Sequence, residues 1–188
     1  MRSAVFLDRD GVINENRSDY VRCWEQLKFI DGVLPALKRL ADREIMVIVV
    51  TNQSVIGRGL LSETDARAIN LRLADEVILY GGRLTGIYVC PHHPDAHCSC
   101  RKPAPGMLLQ AASDWEIDLS RSYLVGDALT DIEAARAVGS QGILVKTGRG
   151  MDQEALLSRQ SWTCPVVADL AAAVDWILST DVNAQNPG

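Results

Sequence analysis

The chain has 188 residues, 47% of them hydrophobic, with 19 basic against 24 acidic side chains and a formal charge of -5. That length suits one domain with a core of its own, and the slight acidic excess offers no electrostatic footprint for nucleic acid or an anionic membrane. The apolar stretch at the start is too short for a secretory leader and no other segment approaches the length of a membrane span, so a cytoplasmic protein acting on small solutes is expected.

Along the chain, the first apolar run, 4–7, ends in Asp8-Arg9-Asp10-Gly11. Two carboxylates one residue apart break the apolar pattern at the carboxyl end of a strand, where open α/β sheets place their ligands. Asp and Gly are also ordinary turn residues, so the pair alone reads equally well as a polar cap. Residues 31–43 form an amphipathic helical pattern that tolerates Pro35 in its first turn. The next strand pattern, 45–50, delivers Thr51-Asn52-Gln53-Ser54. Ser62 to Asp65 resembles a capping box with Asp in place of Glu, heading a helix to about residue 80.

A third strand, 87–90, runs into a loop rich in cysteine and histidine, followed by Lys102 and a helix over 106–115. The strand 123–125 delivers Gly126-Asp127, and helix 130–138, strand 142–145 and helices 152–159 and 170–178 complete the pattern. Residues 181–188 are polar and are expected to form a flexible tail. Strands that alternate with helices predict a doubly wound parallel sheet, a Rossmann-like three-layer α/β/α unit spanning 1–180 as a single domain. No insertion is long enough to form a separate cap domain.

In a parallel sheet all strand ends fall on one edge, which groups Asp8, Asp10, Thr51, Lys102 and Asp127. A carboxylate nucleophile can approach a dianionic phosphate only with a cation between them, and Mg²⁺ held by Asp8 and Asp127 would serve. Lys102 and the Thr51 hydroxyl would hold the equatorial oxygens of the transferring group, assisted by loop amides from Arg9 to Gly11 and at Asn52. Asp10 remains for general acid and base work.

These motifs, Asp8-Arg9-Asp10-Gly11, Thr51-Asn52-Gln53, Lys102 and Gly126-Asp127-Ala128-Leu129-Thr130-Asp131, resemble the haloacid dehalogenase (HAD) superfamily in order and across the catalytic core. The resemblance implies an aspartyl-phosphate intermediate on Asp8, with Asp10 as acid and base. It also implies Mg²⁺ held by Asp8, the main-chain carbonyl of Asp10, and Asp127, and assigns Asp131 to organising the loop.

Within Cys90-Pro91-His92-His93-Pro94-Asp95-Ala96-His97-Cys98-Ser99-Cys100, Cys90, His92, Cys98 and Cys100 offer the complement of a closed tetrahedral Zn²⁺ site, although His93 could exchange with His92. With four protein ligands the zinc would be structural, and clamping this loop would set where Arg101 and Lys102 point. Cys23 and Cys164 are expected to remain free thiols.

The metal loop together with Arg101-Lys102-Pro103-Ala104-Pro105-Gly106 is similar to the branch that contains heptose bisphosphate phosphatases and histidinol-phosphate phosphatases, closer to the former. Two departures stand out: Ala128 occupies a position where that branch carries lysine, and Val55 replaces a glycine. The resemblance implies a small phosphorylated sugar as substrate. Without a cap the site should be open, its specificity set by a rim of Asn16, Arg17, Asp19, Tyr20, Asn52, Gln53, Ser54 and Arg101. A bisphosphate needs a second anion site, for which Arg101 is the first candidate and Arg17 a weaker one. The expected state is a monomer. Histidinol phosphate is the alternative substrate, and a receiver-type module switched by phosphorylation is a remote alternative.

Overall fold

The computed structural model describes residues 2–185. Six strands, β1 (Ala4–Leu7), β2 (Met46–Asn52), β3 (Gly86–Cys90), β4 (Tyr123–Gly126), β5 (Gln141–Val145) and β6 (Val166–Val167), form one parallel sheet in the order β3-β2-β1-β4-β5-β6. The chain winds outward from β1 to β3, returns to the centre at β4 and winds the other way, so the reversal lies between β1 and β4. In such sheets a crevice opens beyond the carboxyl ends of the two central strands.

Alternation along the strands sorts the core into two layers, as the twofold period of a strand requires. Val5, Leu7, Val47, Val49, Val125, Ile143 and Val145 face α1 (Val33–Asp42), α3 (Glu63–Leu79) and α7 (Leu170–Gln185). Ala4, Phe6, Met46, Ile48, Val50 and Leu124 face α4 (Gly106–Trp115) and α5 (Leu129–Ala137). Each fully buried Phe, Leu, Ile or Val side chain contributes about 1.5–3 kcal/mol of transfer free energy, and the strands at the centre are buried on both faces. That two-sided burial explains why their sequences are continuous apolar runs.

The expected doubly wound, three-layer arrangement is therefore present, with small differences at its margins. The second strand continues through Thr51 and Asn52, a short helix α2 (Ser54–Gly57) follows it, and α6 (Gly150–Leu157) begins before the expected 152. The two-residue β6 escapes sequence reading because it is too short to display a period. At the start of α3 the Ser62 hydroxyl oxygen accepts from the Asp65 amide at 3.0 Å and donates to the Asp65 carboxylate at 2.6 Å, so the cap is local to these two side chains. Of the tail expected over 181–188, residues 186–188 lie outside the described residues.

One side chain ties the central strand to its neighbour's approach. The Ser122 hydroxyl donates to the Asp118 carbonyl at 2.7 Å and accepts from the buried Ala4 amide at 3.0 Å, at the entrance to β1. Ser122→Ala leaves that amide without its partner and should destabilise the protein by about 1–3 kcal/mol. Urea denaturation reads this as a lower midpoint at unchanged slope, and an unchanged midpoint would contradict the assignment.

Candidate active site

The loop leaving β1 carries the acids into the central crevice. The Asp8 amide donates to the Val125 carbonyl at 3.0 Å, prolonging the β1–β4 ladder, and the Asp8 carboxylate accepts from the Arg9 amide at 2.7 Å. Gly11 turns the chain with φ +90°, and a Cβ there would run into the Asp127 carboxylate. Gly148, with φ +59°, approaches Asp127 from the opposite loop in the same way. Both positions need glycine for the backbone conformation and for the close approach.

Asp127 follows β4 and is fully buried; its carboxylate accepts from the Arg149 amide at 2.9 Å and lies 3.3 Å from the Arg149 guanidinium. Asp131, in the first turn of α5, accepts from the Ala128 amide at 3.1 Å. The same side chain reaches Lys102 Nζ at 2.6 Å. The ammonium is buried, donates to the Val50 carbonyl at 2.7 Å and stands 3.1 Å from Asp8.

Burial raises the proton affinity of all three acids. It is the largest influence on Asp8, which is pushed up to about 6; Lys102 opposes the shift, while Asp131 and Asp10 add to it. Asp127 and Asp131 are likewise raised by burial, against the opposing pull of Arg149 and Lys102 respectively. For Lys102 burial acts to lower the pKa, but the adjacent Asp131 and Asp8 prevail and raise it, keeping the ammonium charged.

One carboxylate oxygen from each of Asp8, Asp127 and Asp131 lies within 4.8 Å of the other two. Three hard oxygen donors beside a single buried ammonium, in a gap kept free of side chains by Gly11 and Gly148, suit a hard divalent cation.

Asp10 has a different environment. Its carboxylate accepts from Arg9 Nη2 at 3.0 and 2.9 Å, from Asn14 Nδ2 at 2.9 Å and from Gln53 Nε2 at 2.7 Å. Burial pushes its pKa up, but the Arg9 charge and the bonds from Asn14, Gln53 and Arg9 outweigh it and leave the pKa lowered. Gln53 also donates to Thr51 Oγ1 at 2.8 Å, occupying an acceptor lone pair and leaving the Thr51 hydroxyl proton free to point elsewhere.

Asp8, Asp10, Thr51, Gln53, Lys102 and Asp131 line a cleft of about 530 Å³ that also includes Asn16, Arg17, Tyr20, Asn52, Ser54, Arg58, Arg101 and Arg149. Two rim residues that line the cleft also brace its other side chains. Asn52 exchanges two 3.1 Å hydrogen bonds with the backbone of Lys102, clamping the lysine to the end of β2. Gln53 is only 3% exposed and supports Asp10 and Thr51. Asp19 does not line the cleft; it pairs with Arg17 at 2.9 Å. Arg101 reaches the cleft with a buried Nη1 that has no protein partner. Arg58 and Arg149 were not singled out by the sequence, because an arginine in a loop gives no periodic or motif signal.

At the end of β3 and in the loop after it, the Sγ atoms of Cys90, Cys98 and Cys100 lie 3.2–3.6 Å apart, and Nδ1 of His92 lies 3.6 Å from Cys90 and 3.2 Å from Cys100. Tetrahedral thiolate ligation places ligand atoms about 3.7 Å apart, so the cluster could hold zinc with little movement. His93 instead pairs with Asp95 at 3.3 Å, which favours His92 over its neighbour as the imidazole of the cluster. The loop is braced from α2, where the Gly57 amide donates to the Pro91 carbonyl at 2.8 Å.

A HAD-hydrolase-like family model matches residues 99–173. The chain is 39% identical to the D-glycero-beta-D-manno-heptose-1,7-bisphosphate 7-phosphatase of Yersinia pestis over 94% of this chain and 90% of that protein. It is 45% identical to the enzyme of the same name from Pseudomonas aeruginosa, over 80% of this chain and 84% of the other. A crystal structure of the D,D-heptose 1,7-bisphosphate phosphatase of B. bronchiseptica, complexed with magnesium and phosphate, superposes with a TM-score of 0.88 at 34% identity, covering 95% of this chain and 99% of that one. A crevice of three acids and one lysine at the reversal of the sheet, a cysteine-rich loop beside it and these likenesses agree: the chain belongs to the HAD-like family of heptose bisphosphate phosphatases.

Proposed function

We propose that this chain is a Mg²⁺-dependent phosphatase that removes the 7-phosphate of D-glycero-D-manno-heptose 1,7-bisphosphate through a phosphoenzyme. The observation that carries the reading is Asp8 at the mouth of β1, in contact with Lys102 and within 4.8 Å of Asp127. Asp8 is the nucleophile: its carboxylate oxygen bonds to phosphorus as the bond to the sugar oxygen breaks, and Asp10 delivers a proton to that leaving oxygen. Asp10 then takes a proton from the water that hydrolyses the aspartyl phosphate, and the cycle closes with Asp8 and Asp10 restored.

Lys102 already touches Asp8, so the phosphoryl oxygens arriving on Asp8 meet its ammonium without a large movement. The Thr51 hydroxyl, held as an acceptor by Gln53, donates to a second phosphoryl oxygen. Asp8, Asp127 and the Asp10 carbonyl would hold Mg²⁺, which when bound screens the repulsion between carboxylate and phosphate. Asp131 holds Lys102 and the turn into α5 and takes no part in bond making.

The far phosphate needs cations away from the nucleophile. Arg101, with its unpartnered Nη1, is the first of these, and Arg17, whose buried Nε also lacks a partner, is the second. At Ala128 no lysine is present, but Arg149 places a guanidinium beside Asp127 in the same cleft. The names of the relatives favour the sugar bisphosphate over histidinol phosphate. A receiver-type module is disfavoured because its phosphorylated Asp would follow the third strand, where this chain has Cys90 and the metal loop.

We infer that the chain acts on this sugar as a monomer in the cytoplasm. Among the described residues no helix is long and apolar enough to cross a membrane.

Phosphate release from both anomers of the heptose bisphosphate and from histidinol phosphate at saturating Mg²⁺ should show the higher kcat/KM for a bisphosphate. Arg101→Ala should reduce it by about tenfold or more, as the loss of a charge-assisted hydrogen bond implies. A preference for histidinol phosphate would contradict the reading. For the cysteine loop, protein purified without chelator should hold about one zinc per chain, and Cys98→Ser should lose it and lower the thermal midpoint. Metal analysis that finds no zinc would overturn the four-ligand site.

A further inference from the structure

Arg9 is among the largest fully buried side chains of the protein, at 2% exposure, and it does not line the cleft. An arginine one residue from the nucleophile, in a site built for phosphate, is nonetheless turned away from the substrate. Its guanidinium meets the Asp10 carboxylate at 2.9 and 3.0 Å, Gln53 Oε1 at 3.1 Å and, through Nη1, Asn70 Oδ1 at 3.0 Å. Asp10 is the acid among these partners, so Arg9 and Asp10 form a charge pair closed off by two neutral amides.

Asn70 is the anomaly that exposes the arrangement. The buried face of α3 otherwise consists of Ala66, Ile69, Leu73 and Val77, and Asn70 sits among them at 6% exposure, where an amide is unfavourable unless it is hydrogen-bonded. Its Oδ1 supplies the anchor that holds the far side of the Arg9 guanidinium. A planar guanidinium held at Nη1 has a fixed direction for Nη2, and Nη2 is the atom that fixes both oxygens of Asp10.

We propose that Arg9 and Asn70 are positioning residues for the proton carrier, a relay from α3 that aims the Asp10 carboxyl at the leaving oxygen without touching substrate. The proposal rests on the reading of Asp10 as the general acid and base. When the bond from phosphorus to an alkoxide breaks, the Asp10 proton must lie on that oxygen's path; a loosened Arg9 lets the carboxyl drift. A leaving group that departs as a stable anion does not need the proton, so the relay matters for a sugar phosphate and not for p-nitrophenyl phosphate. A merely structural role would lower both alike.

The test compares kcat/KM, which reports the first half-reaction, for the heptose bisphosphate and p-nitrophenyl phosphate in the full-length Mg²⁺-loaded protein. For Asn70→Leu the expected result is a loss of about tenfold on the sugar, a part of the 10²–10⁴ that general acid catalysis supplies, and a change of less than about twofold on the aryl ester. Asn70→Asp, which keeps the acceptor, should recover the wild-type ratio between the two substrates. If Asn70→Leu does not fold, Asn70→Ala, which only removes the acceptor, carries the same comparison. Asp10→Asn separates the two levels of inference: it should show the same leaving-group discrimination more strongly. Discrimination in Asp10→Asn with equal losses, or none, in the Asn70 variants overturns the relay alone; its absence in Asp10→Asn overturns the acid role and the relay with it.

Discussion

One buried ammonium organises the crevice. Lys102 contacts Asp8, Asp131 and the Val50 carbonyl, and it is the buried cation beside three acids that each place one oxygen within 4.8 Å of the other two. Without it, Asp8 and Asp131 would be uncompensated carboxylates in the interior, which burial would force to protonate. With it, Asp8 is held beside a cation at the end of the central strand. The remaining negative charge is what gives the site its appetite for a hard divalent ion.

Much of the surrounding structure serves to place that ammonium. Asn52 grips the Lys102 backbone from β2, and Gly57 packs the short helix after β2 against the loop that carries Cys90 and His92. The cysteine cluster lies just before Arg101 and Lys102 in sequence, so a metal there would stiffen the segment from the other side. The second carboxylate, Asp10, is paired with its own cation, Arg9. Two acids two positions apart thus have opposite environments: burial raises Asp8, while Arg9 and two amides lower Asp10. A divalent cation at Asp8 and Asp127 would favour the ionised form of Asp8 against burial.

The sheet, its parallel sense and the grouping of Asp8, Thr51, Lys102 and Asp127 were legible because each rests on a local signal. Apolar runs end in polar residues, and parallel strands deliver their ends to one edge. The cluster of Cys90, His92, Cys98 and Cys100 was legible from spacing. Residues that act through long-range contacts were not: Asn70 lies 61 positions from Arg9, and nothing near it in the chain marks it except an amide in an apolar stripe. The further bonds of two rim residues escaped for the same reason. Asn52 and Gln53 sit in a polar run after a strand, which suggests contact with a ligand. Only the packed structure reveals that their amides hold Lys102 and Asp10.

The account stands on covalent chemistry at Asp8, and trapping the intermediate tests it most directly. The Mg²⁺-loaded protein is mixed with the heptose bisphosphate, quenched during turnover, reduced with borohydride and digested for peptide mass spectrometry. The account predicts homoserine at position 8, the product of reducing an aspartyl phosphate there. An unmodified Asp8 during demonstrated turnover, or the modification at Asp10 instead, would contradict it.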